Sequence, residues 1–97
     1  MSRIEKLRQY MSLKADEAVL VHKPSNQFYL SNYRGEGLLL ITAESAHIIT
    51  DFRYVEQAER ETSNIKVDSI SKGKGHIALA NDVIKAENVK KLYYEDD

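Results

Sequence analysis

An α/β fold, with a mixed β-sheet and helices on both of its faces, is predicted by three features of this sequence. Helix-period and strand-like segments alternate along the chain, which is the pattern of an α/β layer. Two strand-like runs, LLLIT (Leu38–Thr42) and AHIIT (Ala46–Thr50), stand at hairpin distance, so the sheet is not all parallel. The chain has 97 residues, which bounds it to one small domain with one modest core.

The elements follow in the order α-β-α-ββ-α-β-α-β. Residues 2–14 read as an amphipathic helix. Ser2 and Glu5 form an S-x-x-E capping box, and Ile4, Leu7 and Met11 recur on one face. AVLVH (18–22) reads as a buried strand, which Pro24 stops because it has no amide to give a ladder. SNQFYLSNY (25–33) reads as a short helical turn capped by Ser25 and anchored by Phe28, Tyr29 and Leu30. RGEG (34–37) is a two-glycine loop. The hairpin strands Leu38–Thr42 and Ala46–Thr50 come next. Residues 53–62 are a helix with Val55, Ala58 and Thr62 on one face and Glu56–Arg60 as an i,i+4 pair. IKVDSI (65–70) alternates, as a half-buried strand does. KGKG (72–75) is a loop, residues 76–87 a helix with Ile77, Ala80 and Ile84 inward, and residues 90–95 a last strand. A complete α/β domain would cover that strand with another helix. The expectation is a domain truncated at its C-terminus.

Composition narrows the function classes. Net charge is −1, so the basic footprint from which nucleic-acid recognition starts is missing, and no nucleic-acid partner is expected. There is no cysteine, which excludes disulfides and thiol chemistry. The N-terminal stretch MSRIEKLRQYM has no apolar signal core, and the longest strongly apolar run, residues 38–41, is far below a membrane span of about 20 residues. A cytoplasmic protein with no membrane partner is expected.

Catalytic patterns are scarce. His22, His47 and His76 are far apart in sequence, and surface or strand-end positions are expected for them. KGKGH (72–76) is neither a phosphate loop nor a dinucleotide loop. No G-x-S-x-G elbow and no assignable carboxylate pair is present. Two polar insertions remain, NYRGEG and TDFRY, which flank the hairpin. Asp51 suits a helix N-cap. Arg53 is less easily explained, because a cation in a first turn opposes the helix dipole at a cost of a few tenths of a kcal/mol. Two readings stand side by side: a structural arginine, or one held for a carboxylate on a ligand or on the protein.

These residues carry a resemblance. MSRIEKLRQYM, NQFYLSNYRGEGLLLIT and AHIITDFRYVEQA, read in one register, resemble the N-terminal domain of the creatinase/prolidase family, above all its Xaa-Pro peptidases (aminopeptidase P and prolidase). Asn26, Tyr29, Leu30, Ser31 and Tyr33 match the family's N-x-x-Y-L-[ST]-G-[FY] turn. Thr50, Asp51, Arg53, Tyr54, Gln57 and Ala58 match its T-D-x-R-Y-x-x-Q-A motif, and KKLYYED resembles the strand after the next helix. The sequence departs at Asn32, where glycine is usual, and at Glu36, where a small polar residue is common.

The resemblance implies a ribonuclease H-like α/β fold for residues 1–97. It also implies a separate catalytic "pita-bread" domain outside this chain, with two divalent metal ions, manganese or similar, held by two aspartates, a histidine and two glutamates. The chain itself is then expected to hold no catalytic residue, no metal and no cofactor. In such enzymes the N-terminal domain mediates dimer or tetramer contacts and closes one side of the cleft for proline-containing peptides. Carried over, Arg53 is the leading substrate-side residue, Tyr54 a second, and the loop with Arg34 and Glu36 a third approach to the cleft. A guanidinium suits a terminal carboxylate because it can grip it bidentately. A stand-alone binding or oligomerisation module and a creatinase-like amidinohydrolase parent are the alternatives.

Overall fold

The structure is a computed structural model that describes residues 3–70 and 75–95. Its elements are α1 (Arg3–Met11), β1 (Glu17–Val21), α2 (Pro24–Ser31), β2 (Leu38–Thr42), β3 (Ala46–Thr50), a 3-10 turn (Phe52–Tyr54), α3 (Val55–Glu61), β4 (Lys66–Ser69), α4 (His76–Ala86) and β5 (Lys91–Glu95). The five strands form one sheet in the order β4-β3-β2-β1-β5. β2 runs antiparallel to β1 and β3, while β5 is parallel to β1 and β4 to β3. Four strands therefore share one direction, and their carboxyl ends meet along one edge of the sheet, where open α/β sheets place ligands.

The three central strands are buried along their whole length. That follows from their near-continuous apolar sequence, which needs cover on both faces. One face packs Val19, Val21, Leu39, Ile41 and Ile48 against Ile4 of α1, Tyr33 of the loop after α2 and Ala58 of α3. The other packs Ala18, Leu20, Leu38, Leu40 and Ile49 against Ala80 and Val83 of α4. The expected α/β architecture with helices on both faces is what forms.

Several local expectations are corrected. α1 ends at Met11 because Ser12 turns left-handed (φ 52), not at residue 14. The Ser2 half of the expected capping box lies outside the described residues, as do residues 72–74 of the KGKG loop. Pro24 does not merely stop a strand; it opens α2, where a missing amide is harmless. The N-cap position of α2 belongs to Lys23 and not to Ser25. α2 buries Gln27 and Ser31, and its expected anchors Phe28 and Tyr29 are exposed. In α4, Ile77 is 62% exposed, and the inward face is Ala80 and Val83 with Leu79 and Ile84 beside them. The segment after Asp51 starts as a 3-10 turn and becomes an α-helix only at Val55. Glu56 and Arg60 form no ion pair with each other; Gln57 Nε2 donates to Glu61 Oε2 instead (3.3 Å).

Candidate functional site at the carboxyl edge of the sheet

The carboxyl edge gathers most of the polar residues that the sequence singles out. β1 ends beside His22, β3 runs into Asp51, the loop of residues 34–37 leads into β2, and α4 starts at His76.

The loop is fixed from below. Tyr33 is 1% exposed, and its hydroxyl donates to Glu36 O (2.7 Å) while lying 3.0 Å from Thr50 Oγ1. Thr50 Oγ1 also donates to Glu36 O (2.5 Å). Burial pushes the Tyr33 phenol above its ordinary value; the Thr50 contact opposes this, and Tyr54, Glu61 and Glu36 add to it. Gly35 lies against the Tyr33 ring, where an added Cβ would stand 2.3 Å from the hydroxyl oxygen. Gly37 adopts φ +145, a conformation that favours glycine, with its α-carbon against Ile49 O. Gln27 Nε2 donates to Val21 O (3.2 Å), His22 O (3.0 Å) and Gly37 O (2.8 Å), tying the end of β1 to the start of β2.

Asp51 caps the following turn, as expected, by accepting the Arg53 amide at 2.9 Å. Its carboxylate also grips the Arg53 guanidinium, from Nε to Oδ1 (3.0 Å) and Nη2 to Oδ2 (3.1 Å). These bonds hold the Asp51 carboxyl below the ordinary carboxylate value and raise Arg53 further. The carboxylate that explains a cation at this helix start is therefore on the protein, two residues away. Arg53 remains 65% exposed at its side chain, with its guanidinium 5.7 Å from the Tyr54 ring centre and in the field of Glu36.

Arg53 and Tyr54 are thus adjacent, with Glu36 within electrostatic reach of Arg53; Glu36 and Arg53 are exposed and Tyr54 is half-buried. Arg34 takes another direction. Its guanidinium stacks on Phe28 (4.8 Å) and its amide donates to Glu61 Oε1 (2.8 Å).

Two residues of this edge escape sequence reasoning. His22 and His76, 54 positions apart in the chain, line one 260 Å³ pocket with Glu36, Gly37, Leu38 and Ile77. Only the sheet topology, which returns α4 to the end of β1, could have joined them. His47 is no surface residue: it is 5% exposed, because it points from β3 into the α4 side of the sheet. Among the described residues no three His, Cys, Asp or Glu side chains converge to hold a metal ion.

A larger cleft of 690 Å³ lies toward the opposite edge, by the β2–β3 turn. Its arginines are already committed. Arg8 donates to Thr42 O and Ser45 O (both 2.8 Å) and pairs with Glu5, while Arg3 bonds Tyr29 O (2.9 Å) and stacks on its ring.

Comparison with known proteins identifies the family of this fold. The family model of the Creatinase/Prolidase N-terminal domain matches residues 3–97. The chain belongs to the creatinase/prolidase N-terminal domain family. It is 29% identical over 96 residues to the uncharacterized peptidase YqhT of Bacillus subtilis, covering 98% of this chain and 27% of that protein. Among solved structures it is similar to an Xaa-Pro dipeptidase from Bacillus anthracis, with a TM-score of 0.84 and 30% identity over 97% of this chain and 26% of that one. An X-Pro aminopeptidase from Thermotoga maritima gives a TM-score of 0.81 and 25% identity over 99% and 27%. The chain therefore spans about a quarter of the length of these relatives. No helix among the described residues is long and apolar enough to cross a membrane.

Proposed function

We propose that this creatinase/prolidase N-terminal domain serves a cytoplasmic Xaa-Pro dipeptidase or aminopeptidase P-like metallopeptidase, as the part that closes one side of the substrate cleft and supplies oligomer contacts. The observation that carries the reading is the family match over residues 3–97, supported by the exposed Arg53 beside Tyr54 at the carboxyl edge of the sheet. The substrate class is the proline-containing peptide that the relatives' names state.

The residues here bind and orient; they do not hydrolyse. In the parent enzyme a pair of divalent ions, manganese or similar, would supply the activated water. Arg53 has two of its guanidinium nitrogens on Asp51, and it presents the rest of its exposed edge to a peptide carboxylate. Glu36 lies in the same field and disfavours a second anion. Arg34 contributes through the shape of the loop, by stacking on Phe28.

The test is an assay of the purified chain with manganese on an Xaa-Pro dipeptide. No turnover is expected, and turnover above the contaminant level overturns the reading. The stand-alone module is the competing reading, favoured by the exposed Tyr94 on an edge strand. A reading frame that continues past Asp97 with the metal-ligand pattern selects the first; a stop codon selects the second.

A further inference from the structure

Past their last pair, Val21–Leu39, the strands β1 and β2 part. From α2, Gln27 Nε2 takes up the carbonyls of Val21, His22 and Gly37 at that point. Gln27 is 2% exposed, so a buried side chain sets the parting. On the α4 side the parting leaves the 260 Å³ pocket, bounded by His76 and Ile77 of the first turn of α4. The pocket lies outside the carboxyl ends of the strands, where open α/β sheets take ligands.

The walls of this pocket have two characters. Leu38 and Ile77 are aliphatic, and Ile77 is exposed although the inward stripe of α4 lies elsewhere. His22, His76 and Glu36 bring polar groups, and among the described residues none of these three side chains makes a hydrogen bond or an ion pair. A volume of 260 Å³ is below the range of about 300–1,000 Å³ that holds a whole small ligand, and suits a single side chain. The aliphatic walls favour an apolar one. The exposed Glu36 carboxylate favours a cation beside it and disfavours an anion. The first residue of a peptide joins these two features, an apolar side chain next to an α-ammonium group that is mostly protonated near neutral pH. Arg53 lies in the field of Glu36, and Asp51, which it grips, lies in the field of His76. The group that suits a peptide carboxylate is therefore within electrostatic reach of the pocket.

We propose that the pocket between His22, Leu38 and Ile77 is the subsite for the N-terminal residue of an Xaa-Pro peptide, with an apolar Xaa side chain inside it and the ammonium group at Glu36. The proposal rests on the peptide reading above and adds the class of Xaa, which that reading leaves open. Leu38 and Ile77 select for apolar area. Glycine at Xaa leaves the pocket empty, and an acidic Xaa meets the Glu36 carboxylate.

The test is a titration of the folded, 15N-labelled full chain with dipeptides, followed at the backbone amide signals of His22, Leu38, Ile77 and Arg53. Leu-Pro is expected to move the signals of His22, Leu38 and Ile77, and to bind about tenfold more tightly than Gly-Pro, because it buries a leucine side chain. Asp-Pro and N-acetyl-Leu-Pro are expected to bind more weakly than Leu-Pro. Ile77→Lys changes an exposed side chain, puts a second cation beside the peptide's own, and is expected to erase the preference for Leu-Pro over Gly-Pro. Equal binding of Leu-Pro and Gly-Pro, with Arg53 shifted and the three pocket signals unmoved, overturns the subsite and leaves the peptide reading standing. Pocket signals that move without Arg53 support the subsite and remove Arg53 as the grip on the carboxylate. If no dipeptide moves any of the four signals, the subsite and the peptide reading of this edge both fall.

Discussion

Arg53 shows how a local rule and a long-range one combine in one side chain. Asp51 was legible in the sequence as a cap, because capping depends only on residue type and position. Its second task, gripping the guanidinium two residues on, follows from the 3-10 turn that replaces the first turn of the expected helix. Tyr33 was not legible as an anchor, because its role rests on Thr50, 17 positions away in the chain. Phe28 and Tyr29 looked the better anchors and lie outside. The contact between Gly35 and the Tyr33 ring gives a residue-scale prediction. Gly35→Ala places a methyl 2.3 Å from a hydroxyl whose ring is fully buried and doubly bonded, so it cannot swing away. The expected loss is about 1–3 kcal/mol, as for other overpacked sites, measured by urea unfolding. Tyr33→Phe keeps the packing and the Thr50 bond to Glu36 O, and is expected to lose only about 1 kcal/mol.

At the scale of elements, the hairpin was read to the residue, since unbroken apolar runs around a polar turn admit little else. α4 was read with the wrong stripe. Ile77, Ala80 and Ile84 fit a helical period, but so do Ala80 and Val83 with Leu79 and Ile84. The sheet chose the second stripe, while the first turn of α4 projects toward the pocket lined by His22 and Leu38. The far end of α4 makes a testable joint. Glu87 accepts from Ser45 and has a depressed carboxyl pKa. A depressed folded value means stability that is present above the ordinary glutamate value of 4.5 and lost as pH falls through the lower folded value. Wild-type stability should therefore fall on acidification below that point. Glu87→Gln should lack that part of the slope and lose about 1 kcal/mol at neutral pH. Thermal melts of both proteins across the acid range measure this. Equal acid slopes would remove Glu87 as the cause.

For the whole molecule, the decisive feature is that the two sheet edges differ. β4 is short and half-buried, and its Asp68 is tied inward to His47. β5 pairs only with β1 among the described residues, so its other side presents unbonded backbone groups. Tyr94 on this strand is 71% exposed. Lys91 is exposed as well, and a single edge lysine is a weak guard against strand addition. An open edge beside an exposed aromatic residue favours pairing with another chain. The 97-residue chain on its own is therefore expected to self-associate as its concentration rises. Sedimentation equilibrium should show species heavier than 11.1 kDa. Tyr94→Lys adds a charge at the edge and removes apolar area, and should weaken association by about 1 kcal/mol, roughly fivefold in Kd. A clean monomer at high concentration would mean that β5 is guarded by its own twist and by Lys91. Oligomer contacts of the parent would then have to come from another surface.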